Sequence, residues 1–226
     1  MVLRKIALTA MAIFLFSNIG LADEERWKRV NSIPTDAKKV NASMPIFGQR
    51  LVHGLPPGWK PGFENASGGH YIMEYVPVGQ TVQRWEEMIT VQGFKGLAKN
   101  PKVSPEFMLR AMMAQHKKIC NEKLIVQPLG VRKVDAHEAF AALIGCAGIP
   151  GDHRSGLKEG YGEIAYYIAI KGSQDMYMIH RAMRFKEGAP TPGIVAALTK
   201  EMEVVEPIKL CELDISQTEC WERESP

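Results

Sequence analysis

Alternation of apolar and polar side chains predicts most of the strands in this chain. In "HYIMEYVP", residues 70–77, Tyr71, Met73 and Tyr75 share one face and the other face is mixed. Four later segments are also candidate strands: "LIVQPLGVRKV", "EAFAALIGC", "EIAYYIAI" and "DMYMIHRAM". The letters "KGSQ" between the last two segments are typical of a tight hairpin turn. We therefore expect one early strand and, later, a meander of four antiparallel strands.

Helical spacing predicts a first helix over residues 81–90. Val82, Trp85 and Ile89 recur at intervals of three and four, and Thr81 precedes them as a candidate N-cap. This pattern places Trp85 on a buried stripe. The preceding turn lacks the Gly-x-Ser-x-Gly setting of a catalytic nucleophile, so we expect it only to turn the chain.

Two further helices are predicted by their first residues. Ser104 and Pro105 form an N-cap followed by proline at the first helical position. Pro192 begins another apolar stripe, and Pro207 ends it. The resulting order is a strand, two helices, a run of antiparallel strands and a helix. It predicts the α+β class, with a single antiparallel sheet covered by helices in an α/β/α-type sandwich.

The N-terminus has the order of a secretory signal. Arg4 and Lys5 precede an apolar run, and small residues lead to Ala22, where we expect cleavage. Residues 23–43 are polar and aperiodic, so we expect a mobile arm, followed by one globular domain over residues 44–226. No later segment is long and apolar enough to span a bilayer, so we expect no transmembrane segment in the mature chain and place it in the periplasm.

Charge and cysteine content narrow the possible functions. Removing Arg4 and Lys5 lowers the formal charge from +3 to +1, which gives no electrostatic basis for binding nucleic acid. Four cysteines in an exported chain predict two disulfides. We expect the pairs Cys120 with Cys146 and Cys211 with Cys220.

A resemblance to known proteins follows from these elements. The "LPPGW" entry, the first hairpin, the helical excursion, the four-strand meander and the closing helix resemble the PsbP and DcrB-type fold. "EYVPVGQTVQRWEEMITVQ", "QPLGV", "HEAFAALIGC" and "MIHRAMR" are similar to uncharacterised exported bacterial proteins. This resemblance implies a small exported domain of the binding or assembly type, and it brings no catalytic residues.

No motif for catalysis, cofactor binding or metal binding appears. The six histidines form no His-x-x-x-His, His-Glu-x-x-His or deaminase pattern, and no glycine-rich phosphate loop links a strand to a helix. We therefore expect no cofactor and assign no catalytic or metal residue. The segment 148–162 is the one long loop, and Asp152, His153 and Arg154 are its candidates for contacting a partner.

Two functions from different classes fit the sequence. The first is a non-catalytic periplasmic binding or assembly module for an unidentified periplasmic protein or small ligand. The second is a hydrolase or metal-dependent enzyme whose site is assembled from distant residues, with His70, His180 and Arg181 as candidates.

Overall fold

The computed structural model describes residues 40–148, 160–186, 188 and 190–222. The strands are β1 (Val40–Ile46), β2 (Gln49–Leu55), β3 (Trp59–Ser67), β4 (His70–Pro77), β5 (Glu87–Phe94), β6 (Leu124–Val134), β7 (His137–Cys146), β8 (Tyr161–Lys171), β9 (Met176–Lys186) and β10 (Lys209–Glu212). The α-helices are α1 (Pro105–Cys120), α2 (Pro192–Val205) and α3 (Gln217–Glu222). Short 3-10 helices cover Leu97–Lys99 and Asn121–Lys123.

Seven strands form one antiparallel sheet with the order β3-β4-β5-β9-β8-β7-β6. The predicted meander is present as β6 to β9, and a second meander runs from β3 to β5. α1 carries the chain from β5 to the far edge at β6, so that β9 returns to pair with β5 in the middle. The large sheet therefore consists of two meanders, β3 to β5 and β6 to β9, which are joined by the pairing of β5 with β9.

A second sheet, with the order β1-β2-β10, corrects the predicted single sheet covered by helices. Together with α2 it covers one face of the large sheet, which we call the inner face. A side chain at Gly93 of β5 would overlap Ile46 of β1, so glycine allows the two sheets to approach. The opposite face, which we call the outer face, packs against α1, the 3-10 segment and Trp85. Helices thus account for only part of the covering layers.

The helix predicted over residues 81–90 is absent, and this expectation was wrong. Thr81 forms a tight turn in which its Oγ1 accepts a hydrogen bond from Arg84 N at 3.2 Å, and β5 follows. Trp85 is buried as expected, but Ile89 packs on the opposite face of the sheet. Ile89, Thr90 and Val91 are β-branched, and β5 gains hydrogen-bonded partners on both sides. That pairing outweighs the apolar spacing of three and four.

The other two predicted helices are present, and their caps explain where they begin. Ser104 Oγ accepts from Phe107 N at 3.1 Å ahead of α1, and Thr191 Oγ1 accepts from Ile194 N at 3.3 Å ahead of α2. Proline follows each cap at the first helical position. α2 ends at Val205, before Pro207.

Two disulfides join Cys120 to Cys146 and Cys211 to Cys220, the pairs that the sequence predicts. The first holds the end of α1 to β7, and the second holds α3 to β10. β1 begins at Val40, so residues 40–43 of the predicted mobile arm belong to a strand. The predicted signal peptide lies outside the described residues. Within them, no helix has the length and apolar character needed to cross a membrane.

Candidate functional site

Four side chains form a line across the outer face of the large sheet. Glu74 of β4 is opposite Thr90 of β5, Thr90 is opposite His180 of β9, and His180 is opposite Tyr167 of β8. Directly opposed residues of an antiparallel pair have Cβ atoms about 5 Å apart and on the same face. We call these four residues the polar row. The Tyr167 and His180 rings are in contact, with centroids 4.4 Å apart.

The polar row lies in a face that is otherwise apolar. Met108, Leu109 and Met112 of α1 cover the half of the sheet formed by β6, β7 and β8. Trp85 and Ala98 pack against the other half. Between these covers, Glu74 and His180 keep partial exposure to solvent, while Thr90 and Tyr167 are buried. The row therefore has a buried floor and an accessible rim, as small-ligand sites do.

Burial changes the charge of the two titratable groups on this rim. It lowers the pKa of His180 to about 3, and the nearby charge of His116 adds to the effect, so the imidazole is neutral at pH 7. Burial also raises the pKa of the Glu74 carboxyl to about 7, and repulsion from Glu163 contributes. Shifts of this kind cluster at functional sites because such sites need groups poised near neutral pH.

Hydrogen bonding in the polar row is incomplete. Thr90 Oγ1 and His180 Nδ1 are both buried without a hydrogen-bond partner among the described residues. Glu74 makes no hydrogen bond or ion pair to a described residue. Buried polar atoms are normally paired, so three neighbouring groups without partners mark a place that an additional molecule could satisfy.

A charged pair adjoins the row on the outer face. Glu163 of β8 and Arg184 of β9 are opposed in register, and Arg184 Nε lies 3.4 Å from Glu163 Oε2. The Arg184 guanidinium stacks over the Trp85 ring at 3.8 Å from its centroid. Burial raises the pKa of Glu163 and lowers that of Arg184, while their mutual attraction opposes both shifts. Arg184 thus forms an ion pair with Glu163 and a cation–π contact with Trp85.

The three residues of the predicted alternative polar site are not brought together. His180 belongs to the polar row, whereas Arg181 points to the inner face, where it contacts Glu87 and Glu201. His70 lies four residues from Glu74 along β4, about 13 Å away at the usual rise of a strand. Its Nε2 is 2.9 Å from Gln92 Oε1, and its ring stacks on Phe94.

Other predicted site residues lie outside the described part of the chain. The loop residues Asp152, His153 and Arg154 fall within residues 149–159, which the structure does not describe. Within the described residues, no group of three or more His, Cys, Asp or Glu side chains is arranged to hold a metal ion.

Sequence reasoning missed Glu74, Thr90 and Tyr167 as members of a site. The sequence does contain a signal for Glu74, since this charged residue occupies the mixed face of a strand with a clear alternating pattern. The sequence could not show that Thr90 lies opposite Glu74, because residues 81–90 have the spacing of a helix and β5 was not predicted. Only the register of four strands places these side chains in one line.

Comparisons with known proteins bear on the fold alone. No protein-family model matches the chain, and no curated protein matches its sequence. Among solved structures, it is similar to the cyanobacterial PsbP (CyanoP) of Synechocystis sp. PCC 6803, with a TM-score of 0.47 and 10% identity over 75% of this chain and 89% of that one. It is also similar to the Saccharomyces cerevisiae Ran-binding protein Mog1p, with a TM-score of 0.43 and 12% identity over 73% and 93% of the two chains.

A third similar structure is LpqN, a protein involved in cell envelope biogenesis of Mycobacterium tuberculosis. Its TM-score is 0.37 and its identity 9%, over 86% of this chain and 98% of LpqN. A PsbP is therefore among the similar structures, as the element order suggested. A likeness at these scores assigns no activity, ligand or partner to this chain.

Proposed function

We propose that this protein is a non-catalytic periplasmic binding module that takes a small polar ligand at the polar row. The observation that supports this proposal most is that Glu74, Thr90 Oγ1 and His180 Nδ1 have no hydrogen-bond partner among the described residues, within a mostly apolar outer face. Binding sites are usually apolar surfaces with a few polar groups that orient the ligand. Two disulfides suit a protein that works in an oxidising compartment.

Binding can be tested by following the backbone amides of the row. The purified full chain, labelled with 15N, is mixed with a protein-free extract of the periplasm of the bacterium that produces it. We expect shifts centred on Glu74, Thr90, Tyr167 and His180. Thr90→Val keeps the side-chain shape and removes the hydroxyl acceptor, so it should weaken these shifts.

Thr199→Val is the matched control, because Thr199 is exposed on α2 and its hydroxyl bonds to Val195 O. It should leave the shifts unchanged. Shifts centred away from the polar row, or equal shifts in the Thr90→Val and Thr199→Val variants, would contradict the proposal.

A hydrolase is the second candidate, and the state of Glu74 favours it. A carboxyl with a pKa of about 7 can give or take a proton near neutral pH, as a general acid or base must. The test is turnover of chromogenic ester, phosphate and glycoside substrates by the wild type and by Glu74→Gln. Turnover that Glu74→Gln abolishes in a folded protein would favour the enzyme over the binding module.

Export is part of the same proposal. The basic, apolar and small-residue order of residues 1–22 supports cleavage after Ala22. The intact mass of the periplasmic protein should correspond to a chain that begins at Asp23. A full-length mass with Met1 retained would contradict it.

A further inference from the structure

The groups without partners on the polar row are all able to accept a hydrogen bond. The ionised Glu74 carboxylate is an acceptor only. A neutral imidazole has one acceptor nitrogen, and the Thr90 hydroxyl can accept through its oxygen. Thr90 is 2% exposed and His180 Nδ1 is fully enclosed, so bulk water does not serve either atom. The row thus presents three groups that can accept a hydrogen bond, and no described residue donates one to them.

The charge around the row is also unbalanced. The charged or titratable side chains that face it are Glu163 and Arg184 on β8 and β9 and His116 on α1. Glu163 and Arg184 pair with each other across neighbouring strands. When it is ionised, Glu74 has no counter-ion among the described residues. A bound cation would supply the missing charge.

Space on the Glu74 side of the row is limited by close packing. A side chain at Gly62 of β3 would come within 2.9 Å of Val82 and 3.2 Å of Val76, so the turn before β5 lies directly on the edge of the sheet. The Tyr167 ring bounds the row at its other end. A compact cation with several N–H donors suits this arrangement better than a branched planar group.

We propose that the polar row binds a primary ammonium group, with Glu74 as its counter-ion and Thr90 and His180 accepting its hydrogen bonds. An ammonium group has three donors and no acceptor, which matches three acceptors. The Tyr167 ring adds an aromatic face of the kind that attracts cations. This inference rests on the proposed binding function and names the chemical class of its ligand.

The test is a titration of the full-length protein with n-butylammonium chloride, followed by the amide shifts of Thr90, Tyr167 and His180. 1-Butanol and sodium butyrate, at equal ionic strength, supply the neutral and the anionic ligand with the same chain length. We expect the ammonium salt to bind at least about tenfold more tightly than either, since hydrogen bonds that involve a charged group are stronger than those between neutral groups.

Two variants separate this site from general electrostatic attraction. Glu74→Gln keeps the side-chain size and removes the charge, so butylammonium binding should weaken by about tenfold or more. Glu138→Gln removes an exposed carboxylate of β7 and should leave binding unchanged. Equal affinity for butylammonium and butanol, or equal affinity of the Glu74→Gln and Glu138→Gln variants, would overturn the inference.

A zinc chloride titration tests whether the polar row binds a metal ion instead of an ammonium group. Zinc that shifts the same amides more strongly than butylammonium would also overturn the inference. Failure of the amine can be told apart from failure of the proposed function. If periplasmic extract still shifts the polar row in a Thr90-dependent way, the binding function stands and only the ligand class is wrong.

Discussion

The Glu74 carboxyl lies in an environment that disfavours its ionised form. It lies on the outer face beside buried apolar side chains, and its pKa is raised from 4.5 to about 7 by burial and by Glu163. Between those two pH values the folded protein retains a proton that the unfolded chain releases. Folding is therefore relatively favoured at the lower pH, and above pH 7 the folded state bears the full cost of the charge.

Glu74→Gln should stabilise the protein in a pH-dependent way. Glutamine has the same size and no charge, so the variant should gain up to about 3 kcal/mol over the wild type near pH 8. The gain should fall as the pH is lowered from 7 and disappear below 4.5, where both states are protonated. Urea unfolding at several pH values measures it, with Glu138→Gln as the exposed control. A gain that does not depend on pH would contradict the assignment.

Trp85 shows a different residue-scale effect, because it acts through packing. It is 9% exposed, belongs to the outer-face cluster and lies under the Arg184 guanidinium. Trp85→Ala should cost about 3–5 kcal/mol in the free energy of unfolding, from lost burial and the cavity left behind. Val78→Ala, at a side chain that is 55% exposed, should change it little. If the two variants unfold alike, Trp85 does not support the fold.

At the scale of elements, both edges of the large sheet are interrupted. β3 has a register shift between Pro61 and Phe63, and β6 has one between Pro128 and Gly130. Proline lacks the backbone donor of a ladder and a bulge twists the strand, so both devices discourage pairing with another chain. Exposed apolar residues such as Val131 on β6 are therefore placed on an edge that resists strand addition.

The two disulfides should contribute unequally because they close loops of different length. Their cysteines are separated by 26 and by 9 residues. The chain-entropy relation gives roughly 3.5 kcal/mol for the longer loop and roughly 2.6 kcal/mol for the shorter one. Replacing Cys120 and Cys146 by Ala should lower the melting temperature more than replacing Cys211 and Cys220. The reverse order would show that the C-terminal contacts of α3 outweigh loop closure.

At the scale of the whole molecule, Arg181 links two layers. Its guanidinium contacts Glu87 of β5 at 2.5 Å and Glu201 of α2 at 2.7 Å, and lies over the Trp59 ring at 5.1 Å. The Arg181 side chain is only 5% exposed. Arg181 thus connects α2 to the large sheet by charge within a mainly apolar interface, and a second ion pair, between Arg132 of β6 and Glu206, lies at the end of the same helix.

Arg181→Met should destabilise the whole molecule by about 3–5 kcal/mol, because it leaves two carboxylates facing each other without their shared cation. Amide hydrogen exchange should accelerate along α2 as well. Arg110→Met is the control, since Arg110 pairs with Glu106 on the exposed surface of α1 and should cost less than about 1 kcal/mol. Equal losses of unfolding free energy in both variants would mean that burial does not determine how much an ion pair contributes to stability.

Local patterns were sufficient to predict several elements of this protein. Apolar patterns typical of strands identified β4 and the strands β6 to β9, and capping residues followed by proline located α1 and α2. These features are local, because side-chain period and capping depend on neighbours in the chain. The two cysteine pairs were also predicted correctly, whereas export, which the N-terminal pattern indicates, stays a prediction.

Tertiary structure decided what local patterns could not. Residues 87–94 became a strand because β4 and β9 flank them, and the β1-β2-β10 sheet joins segments from the two ends of the described chain. The polar row depends on the same long-range pairings, since Glu74, Thr90, Tyr167 and His180 come from four strands and meet only in register. Sequence spacing carries no information about that register until the partners of each strand are known.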